Sequence, residues 1–310
     1  MDLKQCGRTG LYLSAIGIGT LTWGRDTDGP EALDMLRRFV DAGGNLVECS
    51  ASHGDGMAVD ILSEAIAAVG RHRVAVAWRG GVRRASEGAW VSAAGRGDLL
   101  RSLDDALARL DTDYVDVWMV EPRPEVPLEE TLEAATAAYR SGRARYVGLS
   151  RATQWQLAEA VTRGVLGASA PISVVEFPFS LADTSRAATV AELSEHGVGV
   201  IAASALAGGA LTGKYRHSTP ADSRAASPHL RHLVEGHLTG SARGVIEAAT
   251  RAGAGLERST GDVALAWVRD CPGVTSALVG PRTLRQLETL LDYTEPLPAP
   301  IRQVLSEVAQ

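Results

Sequence analysis

Short apolar, β-branched runs recur along the chain at intervals of roughly 30 residues, and between them apolar residues return every three or four positions. The runs are SAIGIGT (14–20), NLVE (45–48), VAVAW (74–78), DVWMV (116–120), YVGLS (146–150), ISVVEF (172–177), GVIAAS (199–204) and TSALVG (275–280). Each predicts a strand buried on both faces. The segments between them predict amphipathic helices. PEALDMLRRFVDAG (30–43) opens on Pro30 and closes on Gly43, the residue types that start and stop a helix. LLRSLDDALARL (99–110), LEETLEAATAAYRSG (128–142) and TVAELSEHG (189–197) carry the same period.

Eight strands alternating with helices in 310 residues predict an α/β fold, a parallel (β/α)8 TIM barrel. An open doubly wound sheet is the alternative, disfavoured by the strand count and by the lack of G-x-G-x-x-G after the first strand. KQCGRTGLYLS (4–14) reads as an N-terminal β-hairpin over the barrel floor, with its turn at Gly7 to Gly10. Residues 213–245 are polar, rich in Arg, His, Ser and Pro, and hold no strand pattern. They are expected to form a long loop over the barrel mouth, so that 1–310 is a single domain.

Composition narrows the function classes. With 45% hydrophobic and 22% charged residues the chain is an ordinary globular one. A net charge of -6 gives no reason to expect nucleic acid or an anionic membrane as a partner. No apolar stretch is long enough to span a bilayer and the N-terminus lacks a signal-peptide core, so a cytoplasmic location is expected. Cys6, Cys49 and Cys271 are far apart, without metal-ligand spacing, and are expected to be reduced thiols; no metal is expected. The basic residues are nearly all arginine, Lys4 and Lys214 being the only lysines.

A barrel of this kind places its chemistry at the C-terminal ends of the strands. Those ends carry Thr20, Glu48, Arg79, Glu121, Ser150 with Arg151, Glu176, Ser204, and Gly280 to Arg282. Charged groups there are costly to desolvate alone. They form either a structural ion network or a polar site for a small-molecule substrate.

The order of GRTGLYLSAIGIGTLTWG (7–24), DTDYVDVWMVEPRPEVPLEETL (111–132), RARYVGLSRATQWQLAEA (143–160), HGVGVIAASALAGGALTGKY (196–215) and VALAWVRDCPGVTSALVGPRTLRQLETLL (263–291) resembles the aldo-keto reductase family, close to the branch that includes potassium-channel β-subunits. The resemblance covers nearly the whole chain. It implies the barrel, and carbonyl reduction by NADP(H). It also implies an Asp, Tyr, Lys and His at four places where this sequence has Glu48, His53, Arg79 and Glu121. All four catalytic positions are substituted.

In the nicotinamide cradle, Thr20 lies at the first strand's end, the family's Ser-Asn pair reads Ser150-Arg151, its Gln is Glu176, and its stacking aromatic is Ala203. The phosphate side is better kept. Ser204, Leu206, Gly208 and Lys214 match, Arg224 matches a further phosphate contact, and Gly280, Arg282 and Gln286 follow the last strand. The adenine-holding Glu-Asn pair has become Thr289-Leu290. The resemblance therefore implies a nucleotide-shaped groove, with an altered nicotinamide end that argues against conventional NADP(H) use.

The replacements have their own chemistry. Arginine stays protonated and binds oxyanions through a planar fork, so Arg79 is expected to clamp a carboxylate, phosphate or enolate. An imidazole titrates near neutrality, so His53 is expected to shuttle a proton, with Glu48 and Glu121 orienting it or acting as acid and base. Trp23 and Trp78 either wall the substrate side or pack the barrel. Cys49 is expected to be buried and inert. Three readings follow: an enzyme turned to isomerisation, dehydration, elimination or cyclisation beside a carbonyl; an NADPH-dependent carbonyl or enone reductase with His53 as proton donor; and a non-catalytic binding or regulatory barrel. Nothing in the sequence fixes the oligomeric state.

Overall fold

The computed structural model describes residues 1–238, 240–292 and 295–309. Its first strands, β1 (Leu3–Gln5) and β2 (Tyr12–Ser14), pair antiparallel as the expected N-terminal hairpin. The barrel strands are β3 (Ile16–Gly19), β4 (Leu46–Ser50), β5 (Ala75–Gly80), β8 (Val115–Val120), β9 (Ala144–Ser150), β10 (Ile172–Pro178), β11 (Gly199–Ala203) and β12 (Val274–Val279). All eight pair in parallel and close on themselves, β12 bonding β3 and β9 bonding β10, as the eight apolar runs predict. A second small hairpin, β6 (Val82–Arg84) with β7 (Trp90–Ser92), follows β5 and has no counterpart in the sequence reading.

Helices α1 (Gly29–Asp41), α2 (Ala58–Val69), α3 (Arg96–Leu110), α4 (Leu128–Arg140), α5 (Gln154–Val165), α6 (Ala187–Glu195), α7 (Ser241–Leu256), α8 (Thr260–Arg269), α9 (Leu284–Leu291) and α10 (Ala299–Val308) complete the chain. Their starts are legible in local chemistry. Asp28 caps α1 ahead of Pro30, and Thr153 with Gln156 forms a reciprocal capping box on α5. The excursion at 213–245 holds only single helical turns among its described residues until α7 begins at Ser241, inside the stretch read as loop.

The core is layered as the barrel demands. Inside the cylinder, Leu46, Ala77, Val117, Met119, Val174 and Ile201 fill the lower half against Cys6, Leu11 and Leu13 of the hairpin segment. Two larger apolar layers lie between the strands and the helices. Trp23 and Trp78 belong to one of these, packed with Met35, Phe39 and Leu62, and neither lines a cavity. Of the two roles open to them, packing is the one they fill. The barrel is thus plugged by apolar side chains at the bottom, and its polar residues gather at the top. Among the described residues, no helix is long and apolar enough to cross a membrane.

Candidate active site

Strand register brings the polar positions together. Glu48 stands across from Gly19 and Ala77, Ser50 across from Arg79, and Ser150 across from Glu176. The chain leaving β4 makes one tight turn at His53–Gly56 before α2, which returns His53 over the barrel. Glu48, His53, Arg79, Glu121, Arg151 and Glu176 line one cavity of about 570 Å³ at the C-terminal ends of the strands.

Glu48, His53 and Arg79 are in direct contact. Arg79 Nη2 lies 2.8 Å from His53 Nε2, and Arg79 Nε lies 3.5 Å from Glu48 Oε1. His53 Nε2 is 3.9 Å from the same carboxylate oxygen. His53 Nδ1 is 3.0 Å from Thr20 Oγ1. A guanidinium has no acceptor, so Nε2 must be the accepting nitrogen and the ring proton sits on Nδ1, donated to Thr20. Burial, then the charges of Arg79 and Arg151, hold His53 well below the ordinary imidazole value. The imidazole is therefore neutral at neutral pH, with its lone pair engaged. This departs from a freely titrating shuttle, because burial and two arginines both oppose the cation.

Glu48 is 6% exposed, and its Oε1, although near Arg79, has no aligned hydrogen bond. Burial raises its pKa, opposed by Arg79 and Arg151. Glu176 is raised likewise by burial, with Arg79 opposing and Glu48 reinforcing the shift. Its Oε2 accepts from Ser150 Oγ. Glu121 faces the same cavity but pairs with Arg123, 3.1 Å away, and not with the cluster. Cys49 is fully buried and its thiol is pushed up to about 12, chiefly by burial, consistent with an inert packing residue.

A second cavity of about 300 Å³ runs from the mouth toward α9 and shares Ser204, Gly208, Arg224 and Gly280 with the first. Leu206, Lys214, Arg282 and Gln286 line it. Arg224 donates to Gly280 O at 2.7 Å, and burial with the neighbouring charge of Arg282 lowers its pKa. Two guanidiniums facing one groove are a natural anion cradle. Thr20 and Ser150 line neither cavity; they are fully buried and act from beneath, on His53 and Glu176.

The sequence reading missed Arg25, Arg123, His229 and His232, which also line the mouth. They stand on loops or, for His232, a single helical turn, with no strand-end position or periodicity to single them out. Among the described residues no group of three or more His, Cys, Asp or Glu is placed to hold a metal ion.

The model of the aldo/keto reductase family matches residues 15–304. Among curated relatives, the chain is 29% identical to a probable voltage-gated potassium channel subunit beta of Oryza sativa subsp. japonica, covering 99% of this chain and 95% of that one. It is 30% identical to L-glyceraldehyde 3-phosphate reductase of Escherichia coli (strain K12), covering 93% and 86%. Among solved structures, the aldo-keto reductase AKR11C1 from Bacillus halodurans, in its holo form, superposes with a TM-score of 0.83 over 100% of this chain and 97% of that one, at 22% identity. That likeness bears on the fold.

Proposed function

The chain belongs to the aldo/keto reductase family, and from that premise we propose that its barrel mouth performs proton-transfer chemistry beside the carbonyl of a small molecule: isomerisation, dehydration, elimination or cyclisation. The observation that carries this reading is Glu48, a buried carboxyl in the cavity wall with raised pKa and an oxygen free of hydrogen bonds. A carboxylate of raised pKa is a stronger base when ionised and a usable acid when protonated.

In the proposed cycle, ionised Glu48 takes the proton from the carbon next to the carbonyl. The C–H electron pair moves onto the carbonyl oxygen as an enolate. The N–H groups of Arg79 not engaged by His53 stabilise that oxygen as charge develops, and Arg79 itself neither gains nor loses a proton. A carboxyl, Glu48 or Glu176, then returns the proton to the new position. His53 is a positioning residue here, its neutral Nε2 fixing the guanidinium.

Aldo-keto reductases generally use NADP(H), which supplies hydride when bound. Lys214, Arg224, Arg282 and Gln286 suit its phosphate-bearing end. The nicotinamide end fits poorly: position 203 has no ring, Glu176 is tied to Ser150, and the guanidiniums of Arg79 and Arg151 stand beside it. No step is derived through the cofactor. The groove favours NADPH-dependent reduction of a carbonyl or enone as a second reading. Against it, His53 holds its single proton toward Thr20.

The test is deuterium uptake from D2O at the carbon beside the carbonyl, followed by NMR over small ketones and aldehydes without nucleotide. Wild type exchanges on at least one compound, and Glu48→Gln loses about a hundredfold or more in rate. No exchange by wild type, or an undiminished rate in the variant, counts against the proposal.

A further inference from the structure

We infer that Arg151 selects the substrate, its guanidinium receiving a carboxylate or phosphate group carried by the carbonyl compound; the reaction half of this inference rests on the acid–base reading above. The other arginines of the mouth are already engaged. Arg25 lies 3.5 Å from Asp26, Arg79 contacts Glu48 and His53, Arg123 pairs with Glu121, and Arg224 donates to Gly280 O. Arg151 is exposed, lines the cavity, and has no side-chain hydrogen bond or ion pair among the described residues.

Its backbone adds a second, independent observation. Arg151 sits at φ 52, in the left-handed region that a residue with a long side chain occupies at a cost. The conformation is pinned on both sides: Arg151 N donates to Glu176 O at 2.8 Å, and the capping box of α5 begins at Thr153. Strain of this kind persists where the surrounding structure over-determines it, and it clusters at binding sites. Here it carries an unengaged guanidinium into the mouth, within electrostatic reach of Glu48, His53 and Glu176.

The charge balance of the cavity points the same way. Five arginines face three glutamates, and burial pushes Glu48 and Glu176 toward their neutral forms. A mouth so biased favours an anion, and a guanidinium binds carboxylate or phosphate through two parallel hydrogen bonds.

The experiment compares calorimetric binding of 2-oxobutyrate with 2-butanone, and of dihydroxyacetone phosphate with hydroxyacetone, in wild type and Arg151→Asn. Asparagine tolerates the left-handed backbone, so the variant keeps the fold, checked by an undiminished melting temperature. Wild type binds at least one anion about tenfold or more tighter than its uncharged counterpart, and Arg151→Asn abolishes that preference. Which pair shows it separates carboxylate from phosphate. Equal binding of charged and uncharged compounds, no binding of any, or a preference surviving in Arg151→Asn overturns the inference. An Arg151-dependent preference without α-proton exchange leaves the inference standing and removes the acid–base reading. Glu48-dependent exchange that runs equally on 2-oxobutyrate and 2-butanone and is unchanged in Arg151→Asn does the reverse.

Discussion

Arg79 contacts Glu48 and also feels the charges of Glu176 and Glu121, whereas Glu48 and Glu176 must share the one buried guanidinium. That asymmetry explains why shifts on the two sides of the pair run in the same direction. Burial opposes the arginine's charge, but Glu48, Glu176 and Glu121 together raise its pKa. For Glu48, burial outweighs the attraction of Arg79 and Arg151, so its pKa also rises. A carboxyl whose pKa is higher folded than unfolded stabilises the fold below the ordinary carboxylate range. That contribution is lost as pH rises through the folded value. Glu48→Gln should therefore melt about 1–3 °C higher than wild type at pH 8, with the gain shrinking toward pH 4, as read by thermal scans across pH. At this scale the sequence shows which residue types stand at the strand ends, because strand ends follow from periodicity. It does not show their pairings. That Glu121 is claimed by Arg123, that His53 accepts from Arg79, and that Trp23 faces the helices depend on loop paths that periodicity does not encode.

The turn between β4 and α2 decides where His53 stands. Gly54 has φ 56 and donates its N–H to Leu21 O at 3.0 Å, and a Cβ there would lie 1.7 Å from Trp23 O. Only glycine lets this turn press against the loop after β3. Gly54→Ala should destabilise the fold by about 3 kcal/mol or more, measured by urea unfolding. Next to it, Asp55 accepts from Arg84 at 3.0 Å and from Trp90 Nε1 at 2.8 Å, tying the β6–β7 hairpin to the same turn. That hairpin was not legible, since VRR and WVS are too short and polar to stand out as strands. The start of α7 was hidden for a related reason: glycines at 244, 253 and 255 weaken its helical signal, and its role is to pack on α8 and α10. The eight barrel strands were legible because parallel strands, covered on both faces, are apolar without interruption.

Across the molecule, an apolar plug below and a charged mouth above make the barrel a scaffold whose chemistry can change while its packing stays. The second cavity and the mouth are continuous, sharing Ser204, Gly208, Arg224 and Gly280. The family's fold is thus present, while the mouth holds a neutral imidazole, a buried arginine and carboxyls. The chemistry we propose for the mouth turns on a single question: proton or hydride. Incubating the protein in D2O with NADPH and a set of small carbonyl compounds, then reading both outcomes in one NMR spectrum, answers it. The account predicts deuterium at the carbon beside an intact carbonyl, with NADPH unconsumed. Alcohol or saturated ketone formed with stoichiometric loss of NADPH, and no deuterium beside the carbonyl of the remaining substrate, would contradict it.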